Sequence, residues 1–233
     1  MSVITISGQA GAGDEFIAER VADGLGYRLV GRPEVVGILA QYGIVEYEKL
    51  LDDPPHLFDG LAGEKESANE LLNKLYLFFA KRNNVVIHSR RAFVSLEPFL
   101  NVFAIFLKAP PGVRTRYVMQ QKDVSQEEAE QLIRKEEETR QSIVESFYKR
   151  SSDSMKPWTM VVDTHKLGME KVIEIIVAAN RPVAKADGLL GWQDGIPTTD
   201  TIETDPVMEN VVDKVLGERS EEHTSELQSL LII

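Results

Sequence analysis

A glycine-rich turn near the amino terminus has the residue types that could hold a phosphate. It follows a short apolar run and precedes a helical pattern. Backbone amides of such a turn converge on an anion, and the amino terminus of the next helix adds positive potential. The predicted binding residues are Gly8, Gln9, Gly11, Ala12, Gly13, Asp14 and Glu15.

Two acidic residues stand where the phosphate-loop pattern GxxxxGK[ST] requires a lysine and a hydroxyl. In that pattern the lysine reaches the terminal phosphates and the hydroxyl helps to hold Mg²⁺. Here Asp14 and Glu15 occupy these positions. Carboxylates also favour the first turn of any helix. The loop alone therefore leaves two interpretations open, a nucleotide site and a turn that only packs a strand against a helix.

A dinucleotide-binding fold is a competing interpretation that the sequence disfavours. Gly11-Ala12-Gly13 begins the pattern GxGxxG, but Phe16 takes the place of the third glycine. The second predicted strand is followed by Arg32 instead of the acid that would bind a ribose. The sequence also contains no Tyr-x-x-x-Lys. Hydride chemistry is therefore not predicted.

Five apolar runs alternate with helical patterns over residues 1–180, which we predict to form one domain. The predicted strands cover 3–7, 27–30, 84–88, 102–108 and 158–162, and the predicted helices cover 14–25, 33–41, 68–81, a long segment after Ser125, and 169–179. Continuous apolar strands fit a parallel sheet that is covered on both faces. The fold class is therefore predicted to be α/β, a doubly wound parallel five-stranded sheet.

Three local features complete this prediction of elements. Ser125 and Glu128 form a capping box at the start of the long helix. Asp163 is expected to cap the turn that follows the last strand. Residues 136–138 are three glutamates, which we interpret as a solvated helix face.

Composition and charge exclude several classes of function. The 233 residues are 43% hydrophobic and 27% charged, as in an ordinary folded protein. A net charge of −11 with no basic block makes nucleic acid a poor partner. Without cysteine, and with four scattered histidines, no metal cluster is predicted. The longest apolar run, 102–107, is too short for a membrane span, and a cytoplasmic location is expected.

The carboxyl-terminal part of the chain differs in character from the rest. Residues 181–206 are rich in Pro, Gly, Asp and Thr and are predicted to be a linker, and 207–216 a helix. We interpret 181–218 as a linker and the start of a truncated segment. Residues 219–229 look like a translated sequencing adapter, so 219–233 is expected to be a non-native tail.

From residue 2 to about 179 the chain resembles the cytidylate kinase-like family of P-loop nucleoside monophosphate kinases. The glycine turn is similar to S-R-Q-x-G-S-G-G-R-E-I-A, and residues 84–90 are similar to N-V-V-I-V-G-R. Ala109 to Arg114 is similar to A-P-x-E-x-R, and Ser125 to Ile133 is similar to S-x-E-E-A-x-x-x-I. Glu137 to Arg140 is similar to D-x-x-R, and Asp163 to Gly168 is similar to N/D-T-x-R-L-x. The match is nearly gapless over 84–179.

The resemblance implies a P-loop kinase fold with a helical lid and phosphoryl transfer from ATP to a (d)CMP-like nucleotide, with Mg²⁺. It implies small nucleotide substrates, catalytic roles for Arg90, Arg114 and Arg140, and substrate binding by Arg32 and Arg90. Each arginine alone is also explained by capping or local ion pairing. A catalytically degraded nucleotide-binding or regulatory module is the alternative, and a purely structural domain would require an occluded glycine loop. Oligomeric state does not follow from the sequence.

Overall fold

A computed structural model describes residues 3–41, 62–148, 158–180, 195–204, 206 and 209–210. Five strands form one sheet in this part of the chain. They are β1 (Val3–Gly8), β2 (Arg28–Val30), β3 (Val85–His88), β4 (Val102–Lys108) and β5 (Met160–Asp163). The strand order is β2-β3-β1-β4-β5, and every neighbouring pair is parallel. The predicted α/β fold class is confirmed.

The helices connect these strands in the predicted alternation. They are α1 (Asp14–Leu25), α2 (Arg32–Gln41), α3 (Ala62–Lys81), α4 (Ala92–Leu96), α5 (Pro111–Lys122), α6 (Gln126–Tyr148), α7 (Thr164–Leu167) and α8 (Met169–Ala179). From the sequence, a helix is expected to begin at Arg90 and a helix face to carry Arg114 and Arg116; α4 and α5 lie there. The sequence does not predict α7, because four residues are too few to display a helical period. Among the described residues, no helix has the length and apolar character needed to cross a membrane.

The sheet is buried on both faces, because alternate side chains of its strands enter two separate apolar clusters. On one face Ile4 and Val86 pack with α1 and α8. On the other face Val3 and Ile87 pack with α2, α3 and α4. A strand that is buried on both sides has no polar face, which explains the continuous apolar runs in the sequence.

The two predicted caps are confirmed. At the start of α6 the Ser125 N–H donates to Glu128 Oε2 at 2.9 Å, and the Glu128 N–H donates to Ser125 Oγ at 3.3 Å. At the start of α7 the Asp163 carboxylate accepts from the N–H groups of His165 and Lys166 at 3.1 and 3.0 Å. Both caps satisfy amides that have no partner within their helix.

Residues 195–204 pack on the domain at the amino-terminal ends of the strands. Thr199 is fully buried; its N–H donates to Asn101 Oδ1 at 2.9 Å and its hydroxyl donates to Asn83 Oδ1 at 3.1 Å. Ile202 joins the apolar cluster of α2 and α3. The sequence predicts a linker here. It does not reveal the packing, because contacts with two asparagines from distant parts of the chain leave no periodic pattern in the sequence.

Several predictions fall on residues that the structure does not describe. Residues 43–64 carry Pro54-Pro55 and are expected from the sequence to form a surface connection or an inserted subdomain; they lie outside the described residues up to 61, and α3 begins at Ala62. The helix over 207–216 lies outside them except for 209 and 210. The tail over 219–233 lies entirely outside them, so its origin stays a prediction.

Candidate functional site

The glycine turn joins β1 to α1 at the carboxyl-terminal edge of the sheet. Gly11 and Gly13 have φ of +81° and +82°, a left-handed conformation that favours glycine. A Cβ on Gly11 would lie 2.8 Å from the Arg114 carbonyl oxygen, and one on Gly13 would lie 2.4 Å from Met169 Cε. Close packing against α5 and α8 therefore requires glycine at both positions, whatever the loop binds.

A carboxylate from α6 enters this loop and accepts hydrogen bonds from it. The Ala10 N–H donates to Glu137 Oε1 at 2.8 Å. Arg114 Nη1 lies 3.4 Å from the same oxygen. Arg140 donates to the other oxygen, Oε2, from Nη2 at 2.8 Å and from Nε at 3.2 Å. One loop amide and two arginines thus converge on a single anion.

The two arginines are held firmly by other contacts. Their side chains are only 11% and 10% exposed, for Arg114 and Arg140 respectively. Arg114 also donates to the carbonyl oxygens of Ala10 and Ala109 at 3.0 and 3.2 Å. The Arg140 guanidinium lies over the ring of Phe106 in β4, 5.4 Å from the ring centre. Both cations are therefore fixed before any ligand arrives.

Asp14, at the lysine position of the phosphate-loop pattern, contacts a histidine. His88 Nε2 lies 2.9 Å from Asp14 Oδ2, and about a quarter of each side chain is exposed, 26% and 25% respectively. Burial raises the pKa of Asp14, but the hydrogen bond and charge of His88 outweigh burial and hold this pKa below its usual value. Burial lowers the pKa of His88, but the hydrogen bond and charge of Asp14 hold it above its usual value. The contact therefore favours the charged pair.

Arg90 follows β3 and forms an ion pair with Glu136 of α6. The side chains of Arg90 and Glu136 are 30% and 46% exposed. The sequence predicts a solvated face for the three glutamates of α6; Glu136 and Glu138 are exposed, and the prediction is wrong for Glu137, whose side chain is 25% exposed. Glu136 contacts Arg90, and Glu137 contacts Ala10 and Arg114 besides its helix neighbour Arg140. A sequence pattern within one helix does not reveal the contacts with Arg90, Ala10 and Arg114.

A cleft of about 330 Å³ brings most of the predicted residues together. Its lining includes Gly8, Gly11, Gly13, Asp14, Glu15, Arg90 and Arg140. Three residues that the sequence did not single out also line it, namely His88, Tyr117 and Lys122. The signal for His88 was a polar residue at the end of an otherwise apolar strand.

Four predicted residues are not among the residues that line this cleft. Arg114 supports the loop through Ala10, as described above. The Gln9 side chain accepts from the Ala109 N–H at 3.2 Å, and the Ala12 carbonyl accepts from the Thr164 hydroxyl at 3.0 Å. Arg32 is exposed at the first residue of α2. Gln9 and Ala12 therefore shape the loop through contacts within the protein.

The carboxylates of the cleft supply the kind of oxygen ligands that a magnesium ion takes. Among the described residues, no group of three His, Asp or Glu side chains could hold a metal ion by itself. Mg²⁺ usually takes only one or two carboxylates beside the phosphates of its nucleotide. Glu15 is exposed at the first turn of α1 and lines the cleft. Glu15 is therefore the cleft carboxylate that could hold this ion, since Asp14 contacts His88, and Glu136 and Glu137 contact arginines.

Comparisons with known proteins identify the family. The family model described as "Cytidylate kinase-like family" matches residues 3–166. A cytidylate kinase of Ignicoccus hospitalis is 27% identical over 179 residues, which cover 76% of this chain and 97% of that protein. A cytidylate kinase of Pyrobaculum islandicum is 28% identical over 178 residues, which cover 75% of this chain and 90% of that protein.

A solved structure shares the fold. It is that of an uncharacterized protein from Eubacterium ventriosum, with a TM-score of 0.57 and 17% identity, covering 77% of this chain and 98% of that chain. At this identity the likeness concerns the fold alone. The family model, however, spans both the glycine loop and the arginines, and it matches well over half of the sequence. The chain therefore belongs to the cytidylate kinase-like family.

Proposed function

We propose that this protein binds ATP with Mg²⁺ at the glycine loop and transfers the terminal phosphoryl group to a nucleoside monophosphate of the CMP type. The observation that carries this proposal is the convergence of Ala10, Arg114 and Arg140 on the Glu137 carboxylate. Carboxylates and phosphates are oxyanions that accept the same charge-assisted hydrogen bonds. Donors that hold a carboxylate are equipped to hold a phosphate.

The reaction needs little covalent chemistry from the protein. An oxygen of the acceptor phosphate bonds to the γ-phosphorus of ATP, the bond from that phosphorus to the bridging oxygen breaks, and ADP leaves. Positioned cations that balance the charge of the transferred group supply most of the catalysis. In this proposal Arg114 and Arg140 neutralise the donor phosphates, and Arg90 holds the acceptor phosphate. Glu15 holds the Mg²⁺ that travels with ATP.

Arg32 is proposed to contribute to acceptor binding from outside the cleft. Its side chain is exposed at the start of α2, outside the cleft lining. To contact Arg32, the acceptor would have to extend from the glycine loop after β1, past the end of β3, to the start of α2.

An apolar wall in the same cleft supports a ligand with a base. Tyr117 of α5 and Leu132 and Ile133 of α6 line the cleft beside the arginines. Leu132 is 41% exposed, so its side chain contributes apolar surface to the cleft. A concave site with apolar walls and a few convergent charges is typical of small-molecule binding. The combination fits a nucleotide better than a simple inorganic anion.

One observation favours a second candidate function, a nucleotide-binding or regulatory module without catalysis. Asp14 and His88 occupy the place from which a loop lysine reaches the terminal phosphates. A site that retains the other donors but lacks this contact could bind a nucleotide without turning it over.

Two measurements on the full chain separate these functions. A coupled assay follows ADP release with CMP, dCMP, UMP, AMP and GMP, and calorimetry measures ATP binding. We expect turnover with CMP or dCMP, and Arg140→Met should lower kcat/KM about a hundredfold, the usual cost of one lost electrostatic contact. Arg134→Met, on an exposed residue of the same helix outside this cleft, is the matched control.

The outcomes discriminate between the two candidates. ATP binding without turnover of any monophosphate would favour the regulatory module. Absence of both binding and turnover would overturn both candidates. Equal losses in Arg140→Met and Arg134→Met would remove the argument from the convergent donors.

A further inference from the structure

We propose that His88 supplies the cation that the glycine loop lacks, and that Asp14 is the positioning residue that holds its imidazolium toward the phosphates. This inference rests on the proposed function, because it names the residue on which phosphate binding at that site depends. It concerns two positions of this chain: Asp14, which departs from the phosphate-loop pattern, and His88 at the end of β3, which departs from the family pattern N-V-V-I-V-G-R.

The geometry brings these two departures into contact. Asp14 is the first residue of α1, and His88 is the last residue of β3. His88 lies beside Ile6 in the parallel pairing of β3 with β1, next to the strand end from which the loop starts. The 2.9 Å contact joins side chains that are 74 residues apart, and both line the cleft with the loop glycines.

The Asp14 side chain also lies across the beginning of the loop. A Cβ on Gly8 would be 3.0 Å from Asp14 Cβ. The Asp14 side chain therefore packs against the first loop glycine, and the His88 imidazole is hydrogen-bonded to its carboxylate. The pair therefore stands where the lysine side chain of a complete phosphate loop would start.

The charges of the cleft lining show why a proton on His88 matters. Four carboxylates face the cleft, two from α1 and two from α6; they are Asp14, Glu15, Glu136 and Glu137. Three permanent cations face it among the described residues, one each from the segment after β3, α5 and α6; they are Arg90, Lys122 and Arg140. The phenol of Tyr117 completes the titratable groups. Arg114 contacts Glu137 at 3.4 Å and adds a fourth cation, so the site is balanced with neutral His88 and carries one net positive charge with protonated His88.

The protonated state is favoured by the contact itself. Asp14 holds the pKa of His88 above its usual value, although burial lowers it and Arg90 opposes the proton. A group with a raised pKa carries its charge below that pKa and loses it as the pH rises through it. Phosphate affinity should therefore be highest on the acidic side and should fall as His88 deprotonates.

The test measures binding of tripolyphosphate and of ATP by calorimetry over about pH 6 to about pH 9, a range that brackets histidine titration. As the pH rises through this range, the affinity of wild type should fall about tenfold more than the affinity of His88→Gln. This is the effect expected from losing one positive charge whose attraction is partly screened by water. His88→Gln should bind weakly without this added pH dependence. His165→Gln, on an exposed histidine of α7, should behave as wild type.

Two further variants test the role of Asp14. Asp14→Asn should move the midpoint of the pH dependence to lower pH, because burial lowers the pKa of His88 once the Asp14 carboxylate is gone. The imidazole proton signals of His88 in an NMR titration should show the same shift without any ligand. His88→Lys should restore tight binding that is flat over this range, which also guards against misfolding of His88→Gln.

The two ligands distinguish failure of this inference from failure of the proposed function. If His88→Gln binds ATP with the affinity and pH profile of wild type, the role of His88 is wrong and the proposed function stands. If tripolyphosphate shows the expected pH dependence but ATP does not bind, the proposed function fails and the role of His88 stands. If neither ligand binds at any pH, both are wrong. An unchanged His88 pKa in Asp14→Asn would remove Asp14 as the positioning residue.

Discussion

At the scale of single residues, Glu137 stands in place of the ligand that the site is proposed to bind. Its two carboxylate oxygens accept from the loop amide of Ala10 and from Arg114 and Arg140. These bonds compensate donors that would otherwise be left without an acceptor in a partly buried site. An incoming phosphate must therefore displace Glu137, and the protein without ligand is stabilised by the same contact.

This exchange predicts opposite effects of one substitution on stability and on binding. Glu137→Gln should lower the free energy of unfolding without ligand by about 1–3 kcal/mol, because hydrogen bonds to a charged group are lost. It should tighten tripolyphosphate binding about tenfold, since a neutral amide competes less well for the arginines. Denaturant unfolding and calorimetry measure the two quantities.

Glu138→Gln, an exposed neighbour on the same helix, is the control and should change neither quantity. Weaker binding in Glu137→Gln would mean that Glu137 positions the ligand instead of competing with it.

The site residues divide by how far their partners lie along the chain. The loop glycines, Asp14 and Arg90 could be predicted, because a local pattern places them at a strand end. The contacts of His88 and Glu137 could not, because they span 74 and 127 residues. A pattern in one segment gives the residue types but not the long-range partner, so Glu137 was interpreted as solvated.

At the scale of elements, the loop is shaped by the helices that pack around it. Gly13 precedes α1 with a left-handed φ and lies against Met169, the first residue of α8. Gly26 ends α1 with φ of +64°, and no heavy atom lies within 4 Å of its Cβ position. The two glycines share the conformation but differ in their surroundings.

Alanine at these two glycines should therefore have unequal effects. Gly26→Ala should cost about 1 kcal/mol of unfolding free energy, the strain of a left-handed alanine. Gly13→Ala should cost about 1–3 kcal/mol more, because its Cβ meets Met169 and forces overpacking. Chemical denaturation measures both variants.

The double variant Gly13→Ala with Met169→Ala should cost less than the sum of the two single changes. Additive costs would mean that the contact with Met169 does not restrict the loop.

At the scale of the whole molecule, the two ends of the sheet contact different parts of the chain. The candidate site lies at the carboxyl-terminal ends of the strands, and residues 195–204 pack at the amino-terminal ends. The alternation of apolar strands and helices was enough to predict the parallel sheet. The packing of Thr199 and Ile202 was not predictable, because residues 195–204, with four threonines and one proline, have the composition of a linker.

Truncation tests whether residues 195–204 belong to the domain. A chain ending at residue 180 should melt about 5–10 °C lower, because it loses the burial of Ile202 and the Thr199 contacts. A chain ending at Glu218 should melt at nearly the wild-type temperature, as expected if the tail over 219–233 is not native. Calorimetric melting compares the three chains, and a large loss for the second truncation would mean that the tail contributes to the fold.

The bond between Ala10 and Glu137 also has a consequence for the rate of ligand uptake. A phosphate can take the loop amide only after the carboxylate has left it, so capture needs a departure step before an entry step. The observed binding rate should then rise with ligand concentration and level off at the departure rate. The resting contact thus limits how fast the chain takes up a nucleotide, independently of how tightly it finally holds one.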